Sequence, residues 1–578
     1  MSYTWGEPLD KTEITCDGGT IIVPNNLNDF LLRTRAKGND RILWVDSISI
    51  NQEDNLEKAS QVMAMRHIYA KAKRALIWLG KEYDDSTLAL ETAKEFCAKF
   101  KSLMNENTSG DATNMNAASG AWFMRRVYNQ LTTVWDPKWG AFFRLIDRPY
   151  FNRAWIVQEV VVSKEQWVIC GEVAIPWLDL FYAIVHCATY EAWLLEFYGS
   201  LNFNNLMALQ LSQNELYQKK QPLFYRVLLR HRMCISQDGR DKVFAYHGIA
   251  SNNSLIEHNL KPDYTLTTEQ LFLNLAINTI KKATDLDFLD IPRISETNYG
   301  LPSWVPYWET PPNHFVFSLL QLELTLGLQD FSIEGVYRAS KDSIFTPRLD
   351  NTQTKLTLSG YQVDTIKTLS NQWELQDTSG YSSILKQARI LQKNQRFVDE
   401  YESIMGFGQL GSLEPYPTGE DRETVCWQTC LAGDFRNDKE TAELHWKNFQ
   451  RRQRWLRWIR RLHVQSFIIP WLIVVILGHI LRGFGIPNPE LGFRTLTERL
   501  INRKSMATKD GYVGLAPGIA KVGDKIILAK GGKLPLVLRR KGDDWELIGD
   551  CYVHGFMDGK RWEEEIKKGA ECEDIVLV

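Results

Sequence analysis

Three polar residues follow closely on an apolar run near the start of the chain. Ile42-Leu43-Trp44-Val45 ends in Asp46, and Asn51 and Gln52 come shortly after. A carboxylate and two amides beyond a strand could contact a ligand, because open α/β sheets bind ligands outside the carboxyl ends of their strands. Asp46 has a second reading, as a cap or brace for the next loop. Glu57 stands three residues after Asp54, the spacing of a capping box, and reads as a helix-start device. Arg240-Asp241-Lys242 reads as an ion-pair cluster at a helix start. Cys426 and Cys430 are four apart with no second pair or His partner at zinc spacing, so no metal site is expected. No phosphate loop, zincin helix or dinucleotide glycine fingerprint appears.

The elements around these residues set a fold class. The Ile42–Val45 run reads as a strand buried on both faces. Ala59, Val62, Met63, Met65, Tyr69 and Ala72 then give an apolar helical face. Ala75-Leu76-Ile77-Trp78-Leu79 is the next buried strand, and Gly80 turns the chain. Strand, helix, strand implies a parallel crossover. Trp167–Gly171 reads as a further strand, and a helix is expected over Phe151–Val162.

These residues carry a resemblance. LWVDSISINQED, the Glu57–Val62 helix and IWLG resemble the central block of the fungal heterokaryon-incompatibility (HET) domain. Ser2-Tyr3-Thr4-Trp5-Gly6 resembles its first block, and Phe151-Asn152-Arg153-Ala154-Trp155-Ile156-Val157-Gln158-Glu159-Val160 its third. Ser49 stands where the family often has Cys, which argues against a required thiol there. The family usually carries residues ahead of the first block, so the first strand is expected to be short. The Gly239–Lys242 stretch and Leu301-Pro302-Ser303-Trp304-Val305-Pro306 resemble blocks that follow HET domains.

The resemblance implies a TIR-like (flavodoxin-like) α/β domain with a parallel sheet over 1–178. A mainly helical middle region follows over 179–410, then a linker over 411–500. A small β module over 501–578 resembles the one that ends many HET proteins. Its His554 reads as structural. Some TIR domains cleave NAD at the nicotinamide–ribose bond, with a glutamate four residues after a tryptophan on a helix. Trp155 and Glu159 stand at that spacing. By this analogy Glu159 is the candidate catalytic carboxylate and NAD a candidate substrate. Asp46, Asn51, Gln52 and Trp155 are the candidate ligand contacts. A carboxylate beside the ribose would stabilise the positive charge that develops as the bond breaks. Glu159 also has a simpler reading, an ion pair with Arg153 or Arg148, and Trp155 one as a core anchor.

Composition sets bounds on the rest. A chain of 578 residues should hold more than one domain, and a formal net charge of −2 gives no signal for nucleic acid. The nine cysteines are odd in number and irregularly spaced, and read as reduced thiols of a cytoplasmic chain. One segment stands apart. Trp446–Arg461 holds seven Lys or Arg residues, and Phe467–Leu481 then runs fifteen residues without a formal charge. As a helix from Val464 the apolar run would reach about 27 Å, near the ~30 Å of a hydrocarbon core. Two readings stand: a buried helix, or membrane insertion or surface attachment through 464–484.

The resemblance implies non-self recognition, in which HET-domain association triggers programmed cell death. Its expected partners are further copies of the chain and other incompatibility proteins. Three versions remain open: an NAD-cleaving effector, a non-catalytic self-associating module that recruits death factors, and a membrane-disrupting effector.

Overall fold

Ala75–Trp78 is apolar on both faces and has no residue to offer water, so it must lie inside a sheet. In the computed structural model it does. The model describes residues 1–107, 136–190, 202–250, 261–291, 299–309, 337–373, 398–406, 416–433, 443–451 and 500–578, apart from a few single positions. The chain forms two compact units. One is chiefly Met1–Thr267, and the other takes in Thr268–Asp377, Tyr381–Ile480 and Pro487–Val578.

The first unit is built on a four-stranded sheet. Strand β1 (Ser2–Tyr3) pairs in parallel with β4 (Ala75–Trp78), and β4 in parallel with β5 (Gln166–Cys170). Strand β6 (Val173–Pro176) closes the other edge antiparallel to β5. The turn between β5 and β6 places Gly171 at φ 53°, a conformation that side chains disfavour. A separate hairpin, β2 (Lys11–Cys16) with β3 (Gly19–Pro24), leads into the helix Asn25–Thr34. The strand register puts Tyr3 beside Trp78 and Trp78 beside Ile169. These three join Val23, Leu27, Phe30 and Val45 in one apolar cluster. Ser2, Ile77 and Val168 are aligned one residue earlier, so they face the other way. Helix Trp155–Val161 is buried from Ile156 through Val161. Helix Ser86–Asn107 packs on Pro137–Ile146 and Trp177–Tyr190, with Phe96 stacked on Trp139 at 4.6 Å between centroids.

One expected strand is absent. Ile42–Val45 is not part of the sheet, and Ile42 is fully exposed. The place beside β4 is taken by β1, whose Met1 N donates to Trp44 O at 2.8 Å. Of the run only Val45 is fully buried, with Leu43 packed against the same cluster, and the chain turns at once into a short helix, Asp46–Ser49. The helix that follows, Asn55–Lys71, matches the expected face in Val62, Met65 and Tyr69, while Met63 points to solvent. Asp54 accepts from Leu56 N and Glu57 N, and Glu57 reaches back to Asn51 N. Asp54 therefore caps the helix start, while Glu57 braces the preceding turn at Asn51.

The second unit contains a β-barrel. Strand β8 (Leu356–Leu369) pairs with β11 (Lys525–Ala529) and with β15 (Glu573–Leu577). Strand β11 pairs with β12 (Leu536–Lys541), β12 with β13 (Asp544–Asp550), and β13 in parallel with β15. The five strands thus form a closed ring, which leaves no free edge among them. Strand β7 (Arg348–Leu349) adds to β8. The far end of β8 pairs with β9 (Arg503–Thr508), followed by β10 (Val513–Pro517) and β14 (Tyr552–Val553). Register shifts leave Val363 and Lys367 of β8 and Ile548 of β13 as extra residues, bulges of the kind that bend strands at barrel corners. The interior includes Val363, Ile366, Ile526, Val537, Ile548 and Phe556. The stretch expected to be mainly helical therefore also supplies the longest strand of this barrel.

Trp304 of the Leu301–Pro306 block is buried and donates its indole N–H to Thr354 O at 3.0 Å. Ser303 N donates to Val578 O, and Ser303 Oγ accepts from Leu547 N. The block is a brace on the barrel. Most of 411–500, including 464–484 and the apolar run Phe467–Leu481, lies outside the described residues. Among the described residues no helix is long and apolar enough to cross a membrane.

Candidate functional site

Ser2 is a small polar residue on an otherwise apolar sheet face, and its hydroxyl needs partners. It finds two. Tyr150 OH lies 2.5 Å from Ser2 Oγ, and Ser2 Oγ donates to Glu159 Oε2. A hydroxyl carries one proton, so with Ser2 donating to the carboxylate the phenol donates to Ser2. The result is a chain from Tyr150 to Ser2 to Glu159. Helix Trp155–Val161 carries the carboxylate to β1, and the Pro149–Asn152 turn carries the phenol.

Glu159 is 2% exposed. Burial pushes its carboxyl above the usual range, the charge of Arg153 opposes the rise, and Asp46 adds to it. Neither arginine named from the sequence forms the expected ion pair among the described residues. Arg153 donates to Tyr3 O. Arg148 donates to Leu79 O at 2.7 Å, to Cys170 Sγ at 2.8 Å and to Tyr83 O, and lies over the Tyr83 ring. It ties together the carboxyl ends of β4 and β5.

Asp46 sits on the other side of β1. It accepts from Trp5 Nε1 at 3.0 Å and from Ser47 N at 2.8 Å, and Ser47 Oγ meets Tyr3 OH at 2.6 Å. Its charge raises the proton affinity of Glu159, so the two carboxylates share one electrostatic neighbourhood. Asn51 and Gln52 stand apart from it. Asn51 Oδ1 accepts from Glu53 N and Asn51 N donates to Glu57, which assigns Asn51 to the helix start. Gln52 is half-buried in the same turn.

Trp155 turns its indole N–H to Asp241 Oδ2 at 3.0 Å, and Tyr264 OH donates to Asp241 Oδ1 at 2.7 Å. Asp241 is buried, and burial raises its proton affinity. Its neighbours in the Arg-Asp-Lys block act differently. Arg240 forms a two-toothed pair with Asp238 and also donates to Leu266 O. Buried Lys242 donates to Arg232 O and Cys234 O. The same stretch grips the Glu159 helix elsewhere, through Ala154 N to Ile235 O and Gly248 N to Gln158 Oε1.

The arrangement is a carboxylate with raised proton affinity, two hydroxyls in series with it, and a second carboxylate nearby. Such a set can hold a proton or balance a developing positive charge. Among the described residues no group of His, Cys, Asp and Glu is placed to hold a metal ion. Sequence reasoning missed Ser2, Tyr150 and Asp241. Ser2 and Asp241 lie within quoted blocks, and Tyr150 directly precedes one, so position was the available signal.

The blocks that hold Ser2, Asp46, Trp155 and Glu159 fall within one matched region, and Asp241 lies beyond it. Residues 1–159 fit the family model described as heterokaryon incompatibility protein (HET), and residues 490–578 fit the Het-6 beta-barrel domain. Residues 1–159 thus carry a HET domain. The chain is 24% identical to heterokaryon incompatibility protein 6, OR allele, of Neurospora crassa, over all of this chain and 91% of that protein. No solved structure matches it. The HET match ends at Glu159, so β5 and β6 of the HET sheet lie beyond it. The barrel match begins at residue 490, well after β8.

Proposed function

We propose that this HET-domain protein acts in heterokaryon incompatibility and promotes the death of cells formed when unlike hyphae fuse. The observation that carries the reading is similarity along the whole chain to a Neurospora crassa protein named for that process. The first unit is the effector, and its partners are further copies of the chain and other incompatibility proteins, met in the cytoplasm.

Within this reading the effector chemistry is cleavage of NAD by water to nicotinamide and ADP-ribose. Support comes from Glu159, a carboxylate oriented by Ser2 on the one helix that also carries Trp155. The parallel strands β1, β4 and β5 are in keeping with a TIR-like fold. Glu159 would stabilise the ribosyl cation as nicotinamide leaves. A second reading, a non-catalytic self-associating module, is favoured by a different observation. The polar tips of Ser2, Glu159, Trp155 and Asp241 are all bonded within the unit.

Induced expression of wild type and Glu159→Gln, with NAD measured before cells die, separates the two. Gln keeps an acceptor for Ser2, so folding should hold, and circular dichroism checks it. Loss of NAD with wild type alone supports catalysis. Death with unchanged NAD in both leaves the recruiting module. Absence of death or growth arrest in any incompatible pairing overturns the incompatibility reading.

A further inference from the structure

A buried carboxylate with no donor is costly, so it either acquires a partner or keeps its proton. Asp290 is such a group. It lies in the second unit, on the segment that follows helix Thr268–Ile280, and is 1% exposed. Neither of its carboxyl oxygens has a hydrogen-bond partner among the described residues. The segment is docked on the barrel through Leu286 N to Gly531 O at 3.1 Å, Thr284 O to Phe345 N at 3.0 Å, and Asp287 to Lys533 at 2.6 Å.

The charges that face Asp290 are mostly of its own sign. Asp550 on β13 and Asp287 and Asp285 on its own segment bear on it, against Lys533 from the β11–β12 turn. The buried Cys551 thiol also lies within its influence. The nearby cations are engaged elsewhere. Arg503 forms a two-toothed pair with Asp550 at 2.7 and 2.8 Å, and Lys533 is paired with Asp287. Asp290 is the member of the group that is buried without a donor among the described residues. Burial first, and then the Asp550 and Asp287 charges, push its proton affinity well above the carboxylate range.

We propose that Asp290 is a pH-sensitive element of the barrel unit: a carboxyl buried as the neutral acid, whose ionisation loosens the segment that carries it from its dock on the β11–β12 turn. The sign follows from linkage. The unfolded chain releases this proton near pH 4, while the folded chain keeps it to higher pH. Between those limits the folded state holds one more proton, so stability falls as pH rises, by up to tenfold in the unfolding constant per pH unit. Above the folded value the loss stops. Other carboxylates of the unit, such as Asp574 beside Arg348, act in the opposite direction, so only a difference between variants isolates Asp290.

The test compares the full chain with its Asp290→Asn and Asp290→Leu variants between pH 4.5 and pH 8. Hydrogen exchange is read at peptides covering β8, β12 and β13. Asn and Leu change packing by an amount that does not vary with pH. The expected result is protection in both variants that gains on wild type as pH rises, by about tenfold for each unit until the difference levels off. A difference that stays constant with pH overturns the proposal. Isotope-edited infrared spectra provide a check that does not depend on folding energetics. A protonated carboxyl band at pH 7 in wild type, lost in Asp290→Asn, supports it, and its absence from wild type overturns it.

Discussion

The buried pair Arg503 and Asp550 shows how much a single residue can matter in the barrel unit. The guanidinium meets both carboxylate oxygens and donates a further bond to Asp550 O at 3.0 Å, with both side chains buried. Such a pair adds little over apolar residues of the same size, but a lone survivor is left charged and dry. Asp550→Asn is therefore expected to cost about 3–5 kcal/mol. The double change Arg503→Met with Asp550→Leu should cost much less than the single one. Urea unfolding followed by tryptophan fluorescence measures both. A double variant as unstable as Asp550→Asn would show that the pair contributes more than the absence of an unpaired charge.

At the scale of elements, the HET sheet depends on residues beyond the matched region. β5 hydrogen-bonds the free side of β4, and Ile235, Asp241 and Gly248 hold the helix that carries Glu159. Gly248 approaches that helix so closely that a side chain there would overlap Gln158. A fragment of residues 1–159 is expected to lack cooperative unfolding, whereas 1–267 should unfold in one transition by circular dichroism. Equal melting temperatures for the two fragments would rule this out. The sequence shows β4 and β5 plainly, because both are unbroken apolar runs. It misleads at Ile42–Val45, since an apolar run does not say which neighbour it pairs with. Ser2 and Tyr3 are too few to display a period, yet they take the place beside β4. In the candidate site, Asp46 and Glu159 were legible from residue type and position. Ser2 and Tyr150 were not, since a hydroxyl on an apolar element has no spacing that reveals its partner. Asp241 stood in a recognisable block, but its partners, Trp155 and Tyr264, are set by the fold.

At the scale of the whole molecule, the barrel is assembled from distant parts of the chain. Strand β8 ends at Leu369, and the other strands of the ring begin at Lys525. No local pattern announces such a partnership, because a strand's alternation specifies a face and not a neighbour. Without β8 the ring would open between β11 and β15 and expose two unpaired edges. The contact is also close: at Gly360 an added Cβ would run into Leu528 O and Ala529 Cα. A fragment of residues 490–578 alone should therefore be aggregation-prone or only partly protected in amide exchange. Joining residues 337–373 to residues 500–578 through a flexible linker should restore a monomer with slow exchange along β11 and β15. Gly360→Ala in the joined protein should destabilise it by about 3 kcal/mol, the upper end of the range for overpacking. If 490–578 alone gives the same slow exchange as the joined protein, β8 is dispensable and the closed ring is not what stabilises this unit.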